Sequence, residues 1–375
     1  MSAPAFDVVV IGAGIVGAAC AAACAAEGLR VCIIEAEIVG GGATAAGMGH
    51  LVVMDDSEAQ FALTHYSLQL WHRLATELPA DVEFEKCGTI WVAADEEEMA
   101  VVRQKKKFYE SRGVAAKILD AKSLRDAEPN LREGLGGGLL VPDDCVIYAP
   151  CAARFLVERA QSRGAVLEIP RSVGEIKTGS VRLNDGTMIF SRWIINATGT
   201  RSPTLTPGID VRKRKGHLLI TDRYPKFVRH QLVELGYLKS AHSFTKDSVA
   251  FNVQPRRTGQ MLIGSSRQFG CETKETESEM LGRMLARANE FMPSISALSA
   301  IRSWTGFRAA TPDKLPLIGP WPRQENLLLA TGHEGLGITT SLATARLLVD
   351  HILGRAPEIP AEPYAASRIL ENVHA

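Results

Sequence analysis

The sequence predicts an α/β protein that joins a mainly parallel sheet, covered by helices, to a second unit rich in strands. Three observations predict it. The first 35 residues run strand, glycine-rich turn, helix and strand, and residues 327–354 again run strand, glycine-rich loop and helix. Between them, residues 218–266 are dominated by strand patterns. Because strands that alternate with helices favour a parallel sheet, and the middle region breaks the alternation, we expect two interleaved units.

The opening unit begins with Phe6–Ile11, a β-branched run typical of a strand buried on both faces. An alanine-rich helical stretch follows and ends near Gly28, a residue type that suits a helix C-terminus. Val31–Ile34 is the next buried strand, and Glu35 stands at its end. This order is that of a βαβ unit.

Three glycines in the first turn, Gly12, Gly14 and Gly17, form the pattern GxGxxG. Gly12 permits the sharp turn, Gly14 lets the backbone approach a pyrophosphate, and Gly17 lets the helix pack closely on the strand. The helix N-terminus offers N–H groups to phosphates, and Glu35 can accept hydrogen bonds from ribose hydroxyls. The unit therefore predicts dinucleotide binding, without deciding between NAD and FAD.

Residues 38–51 form the next element, a loop rich in Gly and Ala. We interpret it as backbone that approaches a large flat ligand, with a flexible surface loop as the alternative. Hydrophobic periodicity then predicts helices at 58–78, 96–112, 120–131 and 151–163, and strands at 87–95 and 193–197. The last strand ends in Ala197, Thr198 and Gly199, whose small side chains permit close approach of a ligand at a sheet edge.

In the last third of the chain we predict a helix at 275–291 and strands at 301–308 and 327–331. A glycine loop after the last strand leads into an apolar helix that ends at Gly354, so a second helix N-terminus faces the sheet edge. One strongly charged residue, Arg308, stands among aromatic and small apolar residues of its strand. Such a position needs a partner for the charge.

Composition excludes several classes of function. Lys and Arg total 42 and Asp and Glu total 42, a balance that argues against nucleic-acid binding. Two basic runs, 103–107 and 212–215, are expected on the solvated surface. The seven cysteines lack CxxC pairs and metal-ligand spacing, which predicts a reducing compartment and no metal site. The N-terminus lacks a secretory signal pattern, so we expect a cytoplasmic protein, and attachment to the inner-membrane surface is left open.

Taken in order, five segments are similar to the glycine oxidase/D-amino-acid oxidase (DAO) family of FAD-dependent oxidoreductases. They are VVVIGAGIVGAACAAACAAEG, GGATAAGMGHL, RKGHLLI, WIINATG, and WTGFRAATPDKLPLIGP with ATGHEGLGITTS. The likeness covers nearly the whole chain. TAAGM resembles glycine oxidases, whereas the whole sequence most resembles bacterial D-hydroxyproline or D-amino-acid dehydrogenases.

The resemblance implies a glutathione-reductase-like FAD-binding Rossmann fold with an interleaved substrate domain built on a mixed β-sheet. It implies an FAD-binding domain at 1–84, 143–215 and 305–375, and a substrate-binding domain at 85–142 and 216–304.

The resemblance also implies which residues hold FAD. The diphosphate and adenosine ribose would lie at Gly12, Ala13, Gly14, Ile15, Val16, Glu35 and Ala36. The ribityl chain and the flavin ring would lie along Thr44, Ala45, Ala46, Gly47 and Met48. Val173 would meet adenine, Ala197, Thr198 and Gly199 would line the cofactor, and the flavin edge would face Gly335, Leu336, Gly337, Ile338 and Thr339.

For the substrate, the resemblance implies that Arg308 binds a carboxylate, which a planar guanidinium can hold at two points. A structural salt bridge is the alternative. His50 and Tyr237 join Arg308 as candidate catalytic and substrate-binding residues, and His333 as a substrate contact. For both histidines a structural role is equally open. Further polar candidates for the pocket are His242, Asn252 and Arg267. A thiol without a flavin link is expected at Cys271.

The expected reaction is oxidation of a small D-amino or cyclic imino acid, such as cis-4-hydroxy-D-proline, to its imine. We expect the electrons to pass to an acceptor other than oxygen, a quinone or a partner protein. The alternatives are a glycine/sarcosine-type oxidase that produces hydrogen peroxide, and an FAD-bearing β-type subunit of a multi-component dehydrogenase. Whether the chain forms a homo- or hetero-oligomer is left open.

Overall fold

The computed structural model describes residues 5–236 and 247–371. Its strands, in chain order, are β1 (Phe6–Ile11), β2 (Val31–Ile34), β3 (His50–Leu51), β4 (Thr89–Ala93), β5 (Lys117–Asp120), β6 (Gly137–Val141), β7 (Cys145–Val146), β8 (Val166–Glu168), β9 (Val173–Lys177), β10 (Ser180–Leu183), β11 (Met188–Asn196), β12 (Arg212–Thr221), β13 (Gln231–Glu234), β14 (Ser248–Pro255), β15 (Met261–Phe269), β16 (Ala300–Ala310), β17 (Leu317–Pro320) and β18 (Leu327–Thr331).

The helices are α1 (Ile15–Ala26), α2 (Gly42–Ala46), α3 (Glu58–Leu74), α4 (Glu96–Glu110), α5 (Ala121–Ala127), α6 (Ala149–Gln161), α7 (Ser202–Leu205), α8 (Ser278–Phe291), α9 (Gly337–Leu353) and α10 (Arg368–Glu371). Short 3₁₀ turns lie at Ala75–Glu77, Ala80–Val82, Gly199–Arg201, Pro293–Ala297 and Glu362–Tyr364.

The first sheet is the one that the opening unit predicts. Its strand order is β17-β18-β11-β1-β2-β8, and β9 and β10 extend it through β11. The strands β18, β11, β1, β2 and β8 are parallel, and β17 is antiparallel to β18. Helices α1 and α9 pack against each other. Because parallel strands end at one edge, the turns after β1, β11 and β18 come together there.

The second sheet has the order β16-β12-β15-β14-β13-β4-β6-β5. It is mixed, because β13 and β4 are parallel while the other neighbouring pairs are antiparallel. Helix α8 contacts β14 and β15, and the rings of Phe251 and Phe291 stack there with centroids 4.7 Å apart. The predicted α/β fold with a mixed second sheet is confirmed.

Two of the expected domain boundaries cut through strands of the second sheet. The expected boundaries at 215/216 and 304/305 fall inside β12 and β16, which pair with each other along most of their length. Strands of one sheet belong to one packing unit. We therefore propose that both strands lie whole in the substrate-binding unit.

The expectation that the two basic runs lie on the surface is wrong for three residues. Arg214, Lys215 and Lys105 are 2%, 0% and 3% exposed. Each has a carboxylate partner far along the chain: Glu334 for Arg214, Glu277 for Lys215 and Asp55 for Lys105. Burial of a charge is tolerated when it is paired in this way.

Within the described residues, no helix has the length and apolar character that a membrane crossing requires. The same residues contain no group of three or more His, Cys, Asp or Glu side chains that could hold a metal ion.

Candidate active site

The turn after β1 forms one wall of the site. Gly12 has φ +99°, and a Cβ atom built there would lie 2.8 Å from the carbonyl oxygen of Ala197. The Ala197 N–H donates to the Ile11 carbonyl, 3.0 Å away. The loops that follow β1 and β11 therefore meet at backbone distance, as a GxGxxG turn requires.

The N-terminus of α1 is approached by the Gly/Ala loop. The N-cap residue, Gly14, supplies no side-chain hydrogen bond, and the Ile15 N–H donates instead to Thr44 Oγ1 at 3.0 Å. A Cβ atom built at Gly17 would overlap the Gly12 carbonyl. The turn therefore needs glycine both before α1, at Gly12, and within its first turn, at Gly17. We call Gly12–Val16, Thr44–Met48 and Ala197–Gly199 together the cofactor cradle.

Glu35 fixes the end of β2 next to the cradle. Its carboxylate accepts hydrogen bonds from the N–H groups of Ala13, at 2.7 Å, and Glu37, at 2.8 Å. The Glu35 carbonyl accepts from the Arg171 N–H at 2.8 Å, which brings the chain just before Val173 to the same edge. The predicted ribose and adenine residues therefore lie at one end of the cradle.

The N-terminus of α9 closes the cradle from the other side. A Cβ atom built at Gly47 would lie 2.9 Å from Ile338 Cδ1, and one at Gly337 would lie 3.7 Å from Val16 Cγ2. Helix α9 begins without a side-chain cap. The positive end of its dipole therefore faces the cradle, where it favours negative charge.

The second sheet covers the cradle through α2. Gln254 Nε2 of β14 donates to the Met48 carbonyl at 2.8 Å, and Trp304 Nε1 of β16 donates to the Ala46 carbonyl at 3.4 Å. A Cβ atom built at Gly306 would overlap Ala46. One face of β14 and β16 therefore lies directly over the predicted flavin position.

Arg308 lies on this face of β16. Its Nη1 donates to the Ser266 carbonyl of β15 at 3.1 Å. A Cβ atom built at Gly335 would lie 3.8 Å from Arg308 Cδ, so the side chain passes beside the loop that precedes α9. The guanidinium therefore stands between the second sheet and the cradle.

His50 is the neutral group beside that cation. Burial, with the nearby Arg308 charge as a second cause, lowers the pKa of His50 to about 3. Its carbonyl accepts from Thr339 Oγ1 at 2.9 Å, which ties the residue to α9. At neutral pH the ring is uncharged and can serve as a hydrogen-bond donor or acceptor.

Three buried polar atoms at the cradle have no hydrogen-bond partner among the described residues: His50 Nε2, Asn252 Oδ1 and Gln254 Oε1. Asn252 and Gln254 are two residues apart on β14 and so share the face that covers α2. Buried polar atoms normally find partners. A flat ligand with a polar edge would supply them, so these residues fit a flavin with a small polar substrate above it.

The remaining predicted residues of the site are His333, Tyr237, His242 and Cys271. The His333 ring is buried, its Nε2 is 2.9 Å from Thr344 Oγ1 of α9, and burial lowers its pKa to about 3. We leave it out of the proposed substrate contacts. Tyr237 and His242 lie outside the described residues. Cys271 is a partly exposed thiol.

Sequence reasoning missed three features of the site. They are the contact between Gln254 and Met48, the Ser266 carbonyl that holds Arg308, and the pairing of Arg214 with Glu334. In RKRKGHLLI, Arg214 and Gly216 are two residues apart and so lie on one face of the strand. This alternation could have indicated that Arg214 faces inward, but it does not identify Glu334 as its partner.

Comparison with known proteins agrees with this geometry. The chain matches the DAO family model, described as FAD dependent oxidoreductase, over residues 7–351. It is 27% identical to glycine oxidase from Geobacillus kaustophilus over 98% of each chain. It is 26% identical to hydrogen cyanide synthase subunit HcnC from Pseudomonas aeruginosa, over 97% of this chain and 96% of that one.

Solved structures are also similar. The crystal structure of glycine oxidase from Geobacillus kaustophilus has a TM-score of 0.86 at 25% identity, covering 97% of this chain and 98% of that one. L-proline dehydrogenase from P. horikoshii has a TM-score of 0.86 at 21% identity over 99% of each chain, a likeness of fold alone. Because the family model spans most of the sequence, the chain belongs to the DAO family of FAD-dependent oxidoreductases, and FAD is its cofactor.

Proposed function

We propose that the protein oxidises a small amino or cyclic imino acid at the carbon next to its carboxylate, with D-configured substrates such as cis-4-hydroxy-D-proline favoured. The observation that carries the proposal is the guanidinium of Arg308, placed over the cradle beside the uncharged ring of His50. A cation and a neutral polar group side by side suit a ligand that has a carboxylate next to an amine.

Arg308 would hold the carboxylate. Guanidinium has five N–H donors in a fixed plane, and a parallel pair of them can bind both oxygens of an acid group. Two-point binding fixes both the position and the rotation of the carboxylate, and hence of the α-carbon bonded to it. Orientation of this kind supplies a large part of the rate of such a reaction.

His50 would contact the amine. Because its ring is uncharged, it can accept a hydrogen bond through Nε2 from an N–H of a substrate bound as the neutral amine. The hydride that leaves the α-carbon would pass to bound FAD, so that the neutral amine becomes the protonated imine, which releases its proton to solvent. The N-terminus of α9 would stabilise negative charge at the adjoining edge of the site.

Two further functions have specific support. Relatives named glycine oxidase favour a glycine- or sarcosine-type oxidase that forms hydrogen peroxide. The relative named a hydrogen cyanide synthase subunit favours an FAD-bearing subunit of a larger assembly. We favour a dehydrogenase whose acceptor is a quinone or a partner protein, because the whole sequence resembles such enzymes.

The test is anaerobic mixing of the purified flavoprotein with D-proline, cis-4-hydroxy-D-proline, the L-enantiomers of these two compounds, and the achiral amino acids glycine and sarcosine. We expect the flavin absorbance near 450 nm to bleach with a cyclic D-imino acid. If none of these compounds bleaches the flavin of the isolated chain, the proposal fails. In air, the yield of peroxide per imine then separates an oxidase, with a ratio of about one, from a dehydrogenase, with a ratio near zero.

A further inference from the structure

A set of residues behind Arg308 forms a slot that fits its guanidinium. We call Gly216, Ser266, His217 and Glu277 the arginine slot. Gly216 lies on β12, directly opposite Gly306 and two residues from Arg214, the cross-strand partner of Arg308. Residues two apart on a strand share a face, so Gly216 lies on the face that carries Arg308.

Gly216 forms the floor of the slot. A Cβ atom built there would lie 2.8 Å from Cζ and from Nη2 of Arg308, and closer still to Nη1. The guanidinium therefore rests on the bare backbone of β12. The φ angle of Gly216 is outside the left-handed region, so alanine is compatible with the backbone. An added methyl group would displace the guanidinium rather than the strand.

Ser266 forms the wall. Its carbonyl accepts from Arg308 Nη1, and its hydroxyl accepts from the backbone N–H of His217 at 2.9 Å. The ring atom His217 Nδ1 is also 2.9 Å from that hydroxyl. Both residues are fully buried. Two hydrogen bonds from His217 to the Ser266 hydroxyl therefore hold this part of β15 in place, with the Ser266 carbonyl directed at Arg308.

The tautomer of His217 follows from its second ring nitrogen. The Glu277 N–H donates to His217 Nε2 at 3.1 Å, so Nε2 carries no proton and Nδ1 donates to Ser266 Oγ. The Glu277 carboxylate is itself held by Lys215 Nζ at 2.6 Å and by Gln268 Nε2 at 3.0 Å. The slot is therefore anchored from the guanidinium back to an ion pair between the buried Lys215 and the partly exposed Glu277.

We propose that Gly216 and the Ser266–His217 pair are positioning residues that set the orientation of the Arg308 guanidinium and thereby the recognition of the substrate carboxylate. This inference rests on the proposed function, because it assumes that Arg308 binds an acid group. Beyond the proposed function, the inference is that Gly216 and His217 control the affinity for the carboxylate through Arg308, without contacting the substrate.

The experiment is a set of acetate titrations of the FAD-loaded protein, followed by flavin difference absorbance. Gly216→Ala should weaken acetate binding about 10-fold or more, since a misplacement of about 1 Å can cost that much. The matched control is Gly282→Ala in α8, where an added Cβ meets nothing within 4 Å. FAD content should be equal in the two variants.

Arg308→Met supplies the background for a double-mutant cycle. It should weaken acetate binding about 100-fold, and Gly216→Ala should then add no further loss, because there is no guanidinium left to displace. If Arg308→Met leaves acetate binding intact, the carboxylate-binding role in the proposed function fails. If Arg308→Met weakens binding and Gly216→Ala does not, the arginine slot alone is overturned.

A second pair of variants keeps the test decisive if Gly216→Ala does not fold. Asparagine at 217 retains a donor near the Nδ1 position, whereas leucine does not. We expect His217→Leu to weaken acetate binding about 5-fold or more and His217→Asn to stay within about 3-fold of the parent. Equal affinities for these two variants would contradict the role assigned to the slot.

Discussion

The cofactor cradle and the arginine slot achieve recognition in opposite ways. The cradle is built from backbone, and its key positions exclude side chains: Gly12 and Gly47 each have neighbours where a Cβ atom would lie. The slot is built to hold one long side chain, and only its floor, Gly216, is a glycine for the same steric reason. Phosphates and a flat ring need close approach of main chain, whereas a carboxylate needs a cation at a fixed angle.

The comparison teaches that the two regions should fail differently. Substitutions in the cradle should remove the cofactor, and with it the colour of the protein. Substitutions around Arg308 should leave FAD in place and change the affinity for acids.

The largest effect is expected for Gly12→Ala. Its methyl group would meet the Ala197 carbonyl at 2.8 Å while the residue is held at φ +99°. We expect FAD affinity to fall by about 100-fold or more, because the loop after β11 must move away from the pyrophosphate position. The ratio of flavin to protein absorbance after gel filtration measures it.

Gly28→Ala is the matched control for this change. Gly28 also has a positive φ, +77°, but a Cβ atom there meets nothing within 4 Å. It should cost about 1 kcal/mol of stability from backbone strain and retain FAD. If both variants keep the full flavin complement, the cradle is not where the cofactor binds.

The smallest effect is expected outside both regions, at Asp144. This residue is fully buried, and its Oδ1 accepts from the Val53 N–H at 3.2 Å, just after β3. Thr89, at the start of β4 in the second sheet, is a neighbour of the carboxylate. Burial raises the pKa of Asp144 to about 7, against the lowering by Thr89, by the Val53 N–H and by Lys105.

Since the pKa of Asp144 is higher in the folded than in the unfolded chain, its protonated form favours folding, and that stability is lost as pH rises through about 7. Asp144→Asn cannot ionise. As pH rises from about 5 to about 8, we expect the stability of the variant relative to the parent to increase by about 1–4 kcal/mol. The difference between their melting temperatures should rise accordingly. A difference that stays constant over this range would contradict the raised pKa.

The cradle could be predicted from sequence because its parts are local. The strands Phe6–Ile11, Val31–Ile34 and Leu327–Thr331 have the predicted bounds, since each is a short apolar run between glycines, turns or charges. The spacing of Gly12 and Gly14 to Glu35 is fixed by one βαβ unit. The roles given to these residues in holding FAD remain predictions that the variants above test.

The slot could not be predicted in the same way, because it depends on pairing between distant strands. Nothing local to Gly216 indicates that Arg308 will lie on it, and that contact follows from the register of β12 with β16. Likewise, Arg214 and Lys215 look like surface residues until Glu334 and Glu277 are brought to them by the fold. Charge pattern along the chain carries no information about such partners.

Carboxylate binding by Arg308 is tested by comparing an acid with the matching amine that lacks the carboxylate. D-Proline and pyrrolidine would be mixed anaerobically with the FAD-loaded parent and with Arg308→Met, and the rates of flavin bleaching followed. We predict that the parent prefers D-proline by about 100-fold or more and that the variant loses most of this preference. A preference that survives unchanged in Arg308→Met would contradict the account.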